Sequence, residues 1–208
     1  MLLDLKSDVF SGRIVVLARH AAPGVDTSVP TSRWGLSPEG VASCFEFAAS
    51  LRRYLPAVVT SSTEPKAVET ATAIAEYLRL DVSTRDGLRE HSRSGEFLSS
   101  AHFHDSIKEF FGGPNEVVYG QESCEELGLR IENEVQAALS SDSVSNAILV
   151  THGTAMTSFI MRHWQVDPFE LWKSLGLPAY LAFTVPTFDI VGTSGIDTTL
   201  FKKTHSGA

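Results

Sequence analysis

Two histidines stand directly after apolar runs in this chain. His20 follows Ile14-Val15-Val16-Leu17-Ala18-Arg19, and His152 follows Ala147-Ile148-Leu149-Val150-Thr151. Arg19 precedes the first histidine as a fixed cation, and Gly153 follows the second. A third apolar run, Ala57-Val58-Val59-Thr60, leads into Ser61-Ser62, and Lys66 comes about one turn later. Glu90 lies beyond a weaker run at Leu80-Asp81-Val82-Ser83-Thr84. Two imidazoles, two cations and one carboxyl group suit phosphoryl transfer through a covalent intermediate. In this reading His20 attacks phosphorus, while Arg19, Lys66 and His152 neutralise the oxygens as charge builds. Glu90 protonates the leaving oxygen and then activates the water that cleaves phosphohistidine. None of these roles calls for a metal or an organic cofactor.

The chemistry requires elements that bring distant residues to one place. Short β-branched runs without polar interruptions read as strands buried on both faces, as in the middle of a parallel sheet. In an open α/β sheet the carboxyl ends of such strands face the ligand crevice, which is where both histidines stand in sequence. A helix start behind Ser61-Ser62 adds unpaired N–H donors and the positive end of a helix dipole near Lys66.

Between the strands lie helical patterns. Ser37-Pro38 reads as an N-cap followed by proline at the first helical position, with Val41, Phe45, Ala48 and Leu51 as the expected buried face. A second helix is expected from about Glu64 to Leu78, with Ala67, Thr70, Ala71, Ile74 and Leu78 inward. A third is expected from Gln121 to Leu139, with Leu127, Ile131, Val135 and Ala138 inward. Further helices are expected from Thr154 to His163 and near Pro168 to Ser174. Strands are expected around Tyr180–Val185 and Thr198–Lys203, with Gly192 and Gly195 marking a turn. Gly24 to Trp34 reads as a loop over the strand ends. Gly95 to Gly120 is irregular and aromatic, and reads as a lid-like insert at about 95–120 rather than a second domain. The whole predicts one α/β domain over residues 1–208. It is a three-layer sandwich with a mostly parallel sheet of about six strands and helices on both faces.

A chain of 208 residues with 43% hydrophobic and 20% charged residues has the composition of an ordinary globular protein. Its formal net charge of −8 argues against general binding to nucleic acid or an anionic membrane surface. An anionic substrate must then be held by a local cluster of cations. Cys44 and Cys124 form no CxxC pair and do not suggest a disulfide framework; a reducing cytoplasm fits them best. Met1 to Phe10 carries Asp4 and Asp8 and does not read as a signal peptide. No apolar run reaches the length of a membrane span.

Taken in order, these segments resemble the histidine phosphatase (phosphoglycerate mutase-like) superfamily. LARHAAP resembles its Arg-His signature at the end of the first strand. LSPEG at Leu36–Gly40 resembles the start of its first helix, and SSTEPKAVETA at Ser61–Ala71 its Ser-Ser…Arg-Ala…Gln-Thr-Ala segment. LREHSRSGEF at Leu88–Phe97, GQESCEELGLR at Gly120–Arg130 and VTHGTAM at Val150–Met156 follow in the family's order. The resemblance implies a nucleophilic His20, a phosphate pocket of Arg19, Lys66 and His152 with Ser62 and Gly153 beside it, and Glu90 as proton donor. It also places Asp26 in a loop where relatives often carry an Asn near the phosphate. Lys66 stands where the family usually has Arg. It keeps the charge and loses the planar two-pronged donor. Glu69 replaces the usual Gln and is expected to point away from the pocket.

Other residues admit plainer roles. Glu96 is an alternative acid, and His91 and Arg93 are as well explained by surface placement as by contact with a substrate. His91, His102 and His104 lack a cysteine or carboxylate to complete a good metal set. Phe110 and Phe111 are expected to cover the core. The expected partner is a small phosphorylated substrate or a phosphoprotein, and the oligomeric state stays open, a dimer included. Two other functions remain in play: a phosphoglycerate mutase-type transfer, and a non-catalytic phosphate-binding scaffold. The insert lacks the extra basic residues that a second phosphate would need, which favours hydrolysis.

Overall fold

Every residue of Ile14–Ala18 is buried, because the strand they form has a packed layer on each face. The computed structural model describes residues 12–92, 100–118, 120–141 and 145–202. Among the described residues, six strands form one sheet in the order β3-β2-β4-β1-β5-β6. These are β1 (Arg13–Arg19), β2 (Ala57–Ser61), β3 (Val82–Thr84), β4 (Asn146–Thr151), β5 (Ala179–Val185) and β6 (Ile190–Ser194). The first four pair in parallel, whereas β5 pairs antiparallel with β1 and β6 antiparallel with β5. The expected mostly parallel α/β sheet is therefore observed.

Alternation along the strands assigns their side chains to two layers. Ile14, Val16, Ala18, Val59, Ile148 and Val150 pack with α1 (Pro38–Leu51) and α2 (Pro65–Leu78). Val15, Leu17, Ala147, Leu149, Leu181 and Phe183 pack with α3 (Ser100–Gly112), α4 (Cys124–Ser141), α5 (Gly153–His163) and α6 (Pro168–Ser174). The inward faces predicted for α2 and α4 are the buried ones. Cys44 and Cys124 are free and buried. No helix among the described residues is long and apolar enough to cross a membrane.

Three local expectations are corrected. Ser37 does cap α1 by accepting from Gly40 N–H at 3.0 Å, but the buried face is Gly40, Cys44, Phe47, Ala48 and Leu51. Val41 and Phe45 are 57% and 66% exposed. Both sets have helical spacing, and the tie is broken by Gly40. A Cβ there would stand 2.1 Å from the Ala22 carbonyl oxygen, so α1 is rotated to press its glycine on the strand end. The strand expected at Thr198–Lys203 is a single 3-10 turn at Thr198–Leu200, held by Asp197, whose carboxylate accepts from Thr199 N–H and Oγ1. Local side-chain capping outweighs the strand propensity of the threonines there. The sixth strand is β6 instead, so Gly192 lies within a strand and Gly195 alone takes the left-handed turn, at φ 65°. The segment read as irregular contains α3, whose Phe110 and Phe111 enter the core as expected, together with Ile107. Arg93 and Glu96 lie outside the described residues.

Candidate active site

Parallel register brings the strand ends level. Arg19 pairs with Thr151 across β1 and β4, and Ser61 pairs with Val150 across β2 and β4. The next residue of each strand continues the ladder: His20 N–H donates to the Thr151 carbonyl at 3.1 Å and Ser62 N–H to the Val150 carbonyl at 2.9 Å. His20, Ser62 and His152 thus emerge side by side at one edge. The two imidazoles meet edge to face with centroids 5.1 Å apart.

His20 Nδ1 lies 2.7 Å from the Ala21 carbonyl oxygen, which can only accept, so Nδ1 is the protonated nitrogen. The lone pair is left on Nε2, the tautomer an attacking imidazole needs. Burial pushes His20 well below its ordinary value of 6.5, and His152, Lys66 and Arg19 push the same way against the Ala21 carbonyl. The ring is therefore neutral and nucleophilic near pH 7. The strand end is fixed by Ala21 N–H, which donates to Thr70 Oγ1 of α2 at 3.0 Å.

Arg19 donates from Nη1 to the Leu175 carbonyl beyond α6 at 2.6 Å. Its Nε is buried and, among the described residues, has no hydrogen-bond partner, as suits a donor waiting for an anion. Burial lowers the guanidinium below its usual value and the nearby Glu90 opposes that shift. Gly153 makes room for it: a Cβ at that position would lie 3.0 Å from Arg19 Nε and 3.1 Å from Cζ. His152 Nε2 lies 2.8 Å from Ser62 Oγ. The carboxylate of Glu90 sits at the start of α5, accepting from Thr154 N–H at 3.1 Å and Ala155 N–H at 3.0 Å. That position places negative charge on the positive end of the helix. Lys66 is buried on the first turn of α2 and donates to the Thr31 carbonyl at 2.8 Å.

The sequence matches the histidine phosphatase superfamily (branch 1) over residues 15–190. The chain belongs to that superfamily. Solved structures share the fold. A mycobacterial glucosyl-3-phosphoglycerate phosphatase superposes with a TM-score of 0.68 at 18% identity, covering 89% of this chain and 97% of that one. An Entamoeba histolytica phosphoserine phosphatase mutant in complex with phosphoserine gives 0.69 at 16%, with 89% and 97% covered. Phosphoglycerate mutase from Bacillus anthracis gives 0.62 at 17%, with 88% and 94% covered. A search of curated proteins by sequence found no match.

Of the residues singled out from sequence, this histidine phosphatase-superfamily chain gathers Arg19, His20, Ser62, Lys66, Glu90, His152 and Gly153 around one strand edge. Asp26 has other contacts: its exposed carboxylate accepts from Ser28 N–H at 2.9 Å and Ser28 Oγ at 2.6 Å, which holds it below the usual carboxylate range. Glu69 points to the loop, accepting from Leu36 N–H at 2.7 Å. His91 is buried rather than superficial, with Nε2 3.2 Å from the Glu122 carbonyl oxygen and its ring 4.4 Å from Phe110. Among the described residues no three His, Cys, Asp or Glu side chains gather into a group that could hold a metal.

One residue of the site was not foreseen. Glu64, the residue before α2, places Oε2 2.6 Å from Lys66 Nζ and Oε1 3.6 Å from His152 Nε2. Oε1 also accepts from Glu90 N–H at 2.9 Å. Its only sequence signal is its position between Ser62 and Lys66, where the chain turns into a helix beside the strand end.

Proposed function

We propose that this chain hydrolyses phosphomonoesters through a phosphohistidine at His20. The observation that carries the reading is a buried, neutral His20 whose Nδ1 is committed to the Ala21 carbonyl, facing His152 with the buried Lys66 and the half-buried Arg19 nearby. His20 Nε2 attacks phosphorus and the ester P–O bond breaks. The leaving oxygen takes its proton from Glu90, which the entering phosphomonoester monoanion has protonated, and the phosphoryl group stays on His20. Water then attacks the phosphohistidine, giving its proton to Glu90 and releasing inorganic phosphate. Arg19, Lys66 and His152 offset the charge on the transferred oxygens, with Ser62 orienting His152. Gly153 leaves space for the Arg19 guanidinium.

The partner in this reading is a small phosphorylated metabolite, the kind of molecule held by the Entamoeba phosphoserine phosphatase. The chain acts as a single domain, and α3 shapes the substrate side of the pocket. Its Phe110 packs on His91, next to Glu90. A reducing cytoplasm suits the two free, buried cysteines.

Labelling with phosphate-labelled substrates, quenched in alkaline detergent, tests the proposal. A phosphoprotein that is stable to base and lost in acid is expected in the native protein and in Glu90→Gln, and not in His20→Ala. Undiminished turnover by His20→Ala removes the mechanism. Transfer of label to a second metabolite rather than to water identifies the mutase reaction instead.

A further inference from the structure

The anion pocket already contains an anion. The Glu64 carboxylate takes one of the three N–H donors of Lys66, and Thr31 takes another, which among the described residues leaves one for any ligand. The same carboxylate holds the Glu90 amide and lies against the edge of His152. Its side chain is 11% exposed and that of Lys66 7%, so the pair is largely shielded from solvent and its attraction is not dispersed by salt. Glu64 thus brings a carboxylate into the group of cations, Arg19 and Lys66, that would hold a phosphate.

We infer that Glu64 is a specificity-determining residue that competes with phosphate for Lys66. This rests on the phosphatase reading of the site. When a phosphomonoester enters, its oxygens must draw Lys66 from Glu64 or share it. When inorganic phosphate is left behind, the carboxylate returns to Lys66 and assists release. A Lys66 already held by a carboxylate gives little affinity for phosphate alone, so binding energy must come from the rest of the substrate. The selected class is therefore phosphomonoesters with a sizeable or cation-bearing organic group, and inorganic phosphate is a weak product inhibitor.

The test is the affinity for inorganic phosphate, measured by calorimetry and by the rise in melting temperature, together with its inhibition constant during p-nitrophenyl phosphate turnover. Glu64→Gln keeps the shape and an acceptor oxygen but removes the charge. It is expected to bind phosphate about tenfold more tightly or better, and to be inhibited correspondingly more strongly. Glu64→Ala should change in the same direction, which guards against a defect peculiar to the amide. In the Lys66→Met background the gain from Glu64→Gln should disappear, because the contested donor is gone. That coupling is what a purely structural Glu64 would not produce. Unchanged or weaker phosphate binding in both Glu64 variants, with native circular dichroism, overturns the inference. Calorimetric binding does not depend on turnover. A protein that binds phosphate as expected but hydrolyses no phosphomonoester therefore refutes the phosphatase reading while leaving the competition intact.

Discussion

His20 and His152 stand edge to face with ring centroids 5.1 Å apart, one at the end of β1 and the other at the end of β4. Burial raises the cost of a positive charge on His20, and His152 adds to it, so His20 keeps its lone pair below pH 6.5. The acidic limb of kcat/KM attributable to the nucleophile is expected well below pH 6.5, and His152→Ala should move it up towards that value. A pH–rate profile of the two proteins decides this. A native limb at or above 6.5 contradicts a depressed His20 ionisation.

The same depressed ionisation makes stability depend on pH. An unfolded chain takes up the His20 proton below about pH 6.5, whereas the folded chain resists it, so the unfolded state binds more protons and stability falls as pH drops through that region. Urea melts across a pH series should show this decline, with a shallower slope in His20→Gln.

Gly153→Ala tests the fit of Arg19. The added Cβ would lie 3.0 Å from Nε of a guanidinium already tied to the Leu175 carbonyl, so the cation must shift by a few tenths of an ångström. Because the obstacle is the far end of a side chain, folding should survive. A loss of roughly ten- to hundredfold in kcat/KM is expected, since small misplacements of a charge-stabilising donor are costly. Steady-state kinetics and a melting curve on the same preparation separate the two effects.

Glu90→Gln examines proton donation. A positioned acid contributes about 10²–10⁴-fold, and that loss is expected in full with alkyl phosphates, whose leaving oxygen needs a proton. With p-nitrophenyl phosphate, whose leaving group departs as an anion, the loss should be much smaller. Equal losses on both substrates would assign Glu90 to holding α5 through Thr154 and Ala155 rather than to proton transfer.

On α1, Phe47→Ala should cost about 3–5 kcal/mol, because the ring is 6% exposed and packs in the core with Tyr180. Val41→Ala, at 57% exposure, should change stability by less than about 0.5 kcal/mol. Chemical denaturation of both variants checks which face of the helix is buried. The contrast matters because α1 is where sequence periodicity misleads: two apolar stripes have the same spacing, and only the approach of Gly40 to the Ala22 carbonyl chooses between them.

Much of the architecture was legible in the primary structure for a simple reason. The strands ending at Arg19 and Thr151 are apolar on both faces, and α2 and α4 each have one apolar stripe, so burial has a single solution for each. Residue types following the strands were enough to nominate Arg19, His20, Lys66, Glu90 and His152. Tertiary structure alone decided three things. Parallel register set the two imidazoles in contact. The Ala21 carbonyl selected the tautomer of His20. The turn into α2 swung Glu64 onto Lys66 and against His152. Each depends on distances between groups from separate elements, and hydrophobic periodicity, a property of one segment at a time, has no access to them.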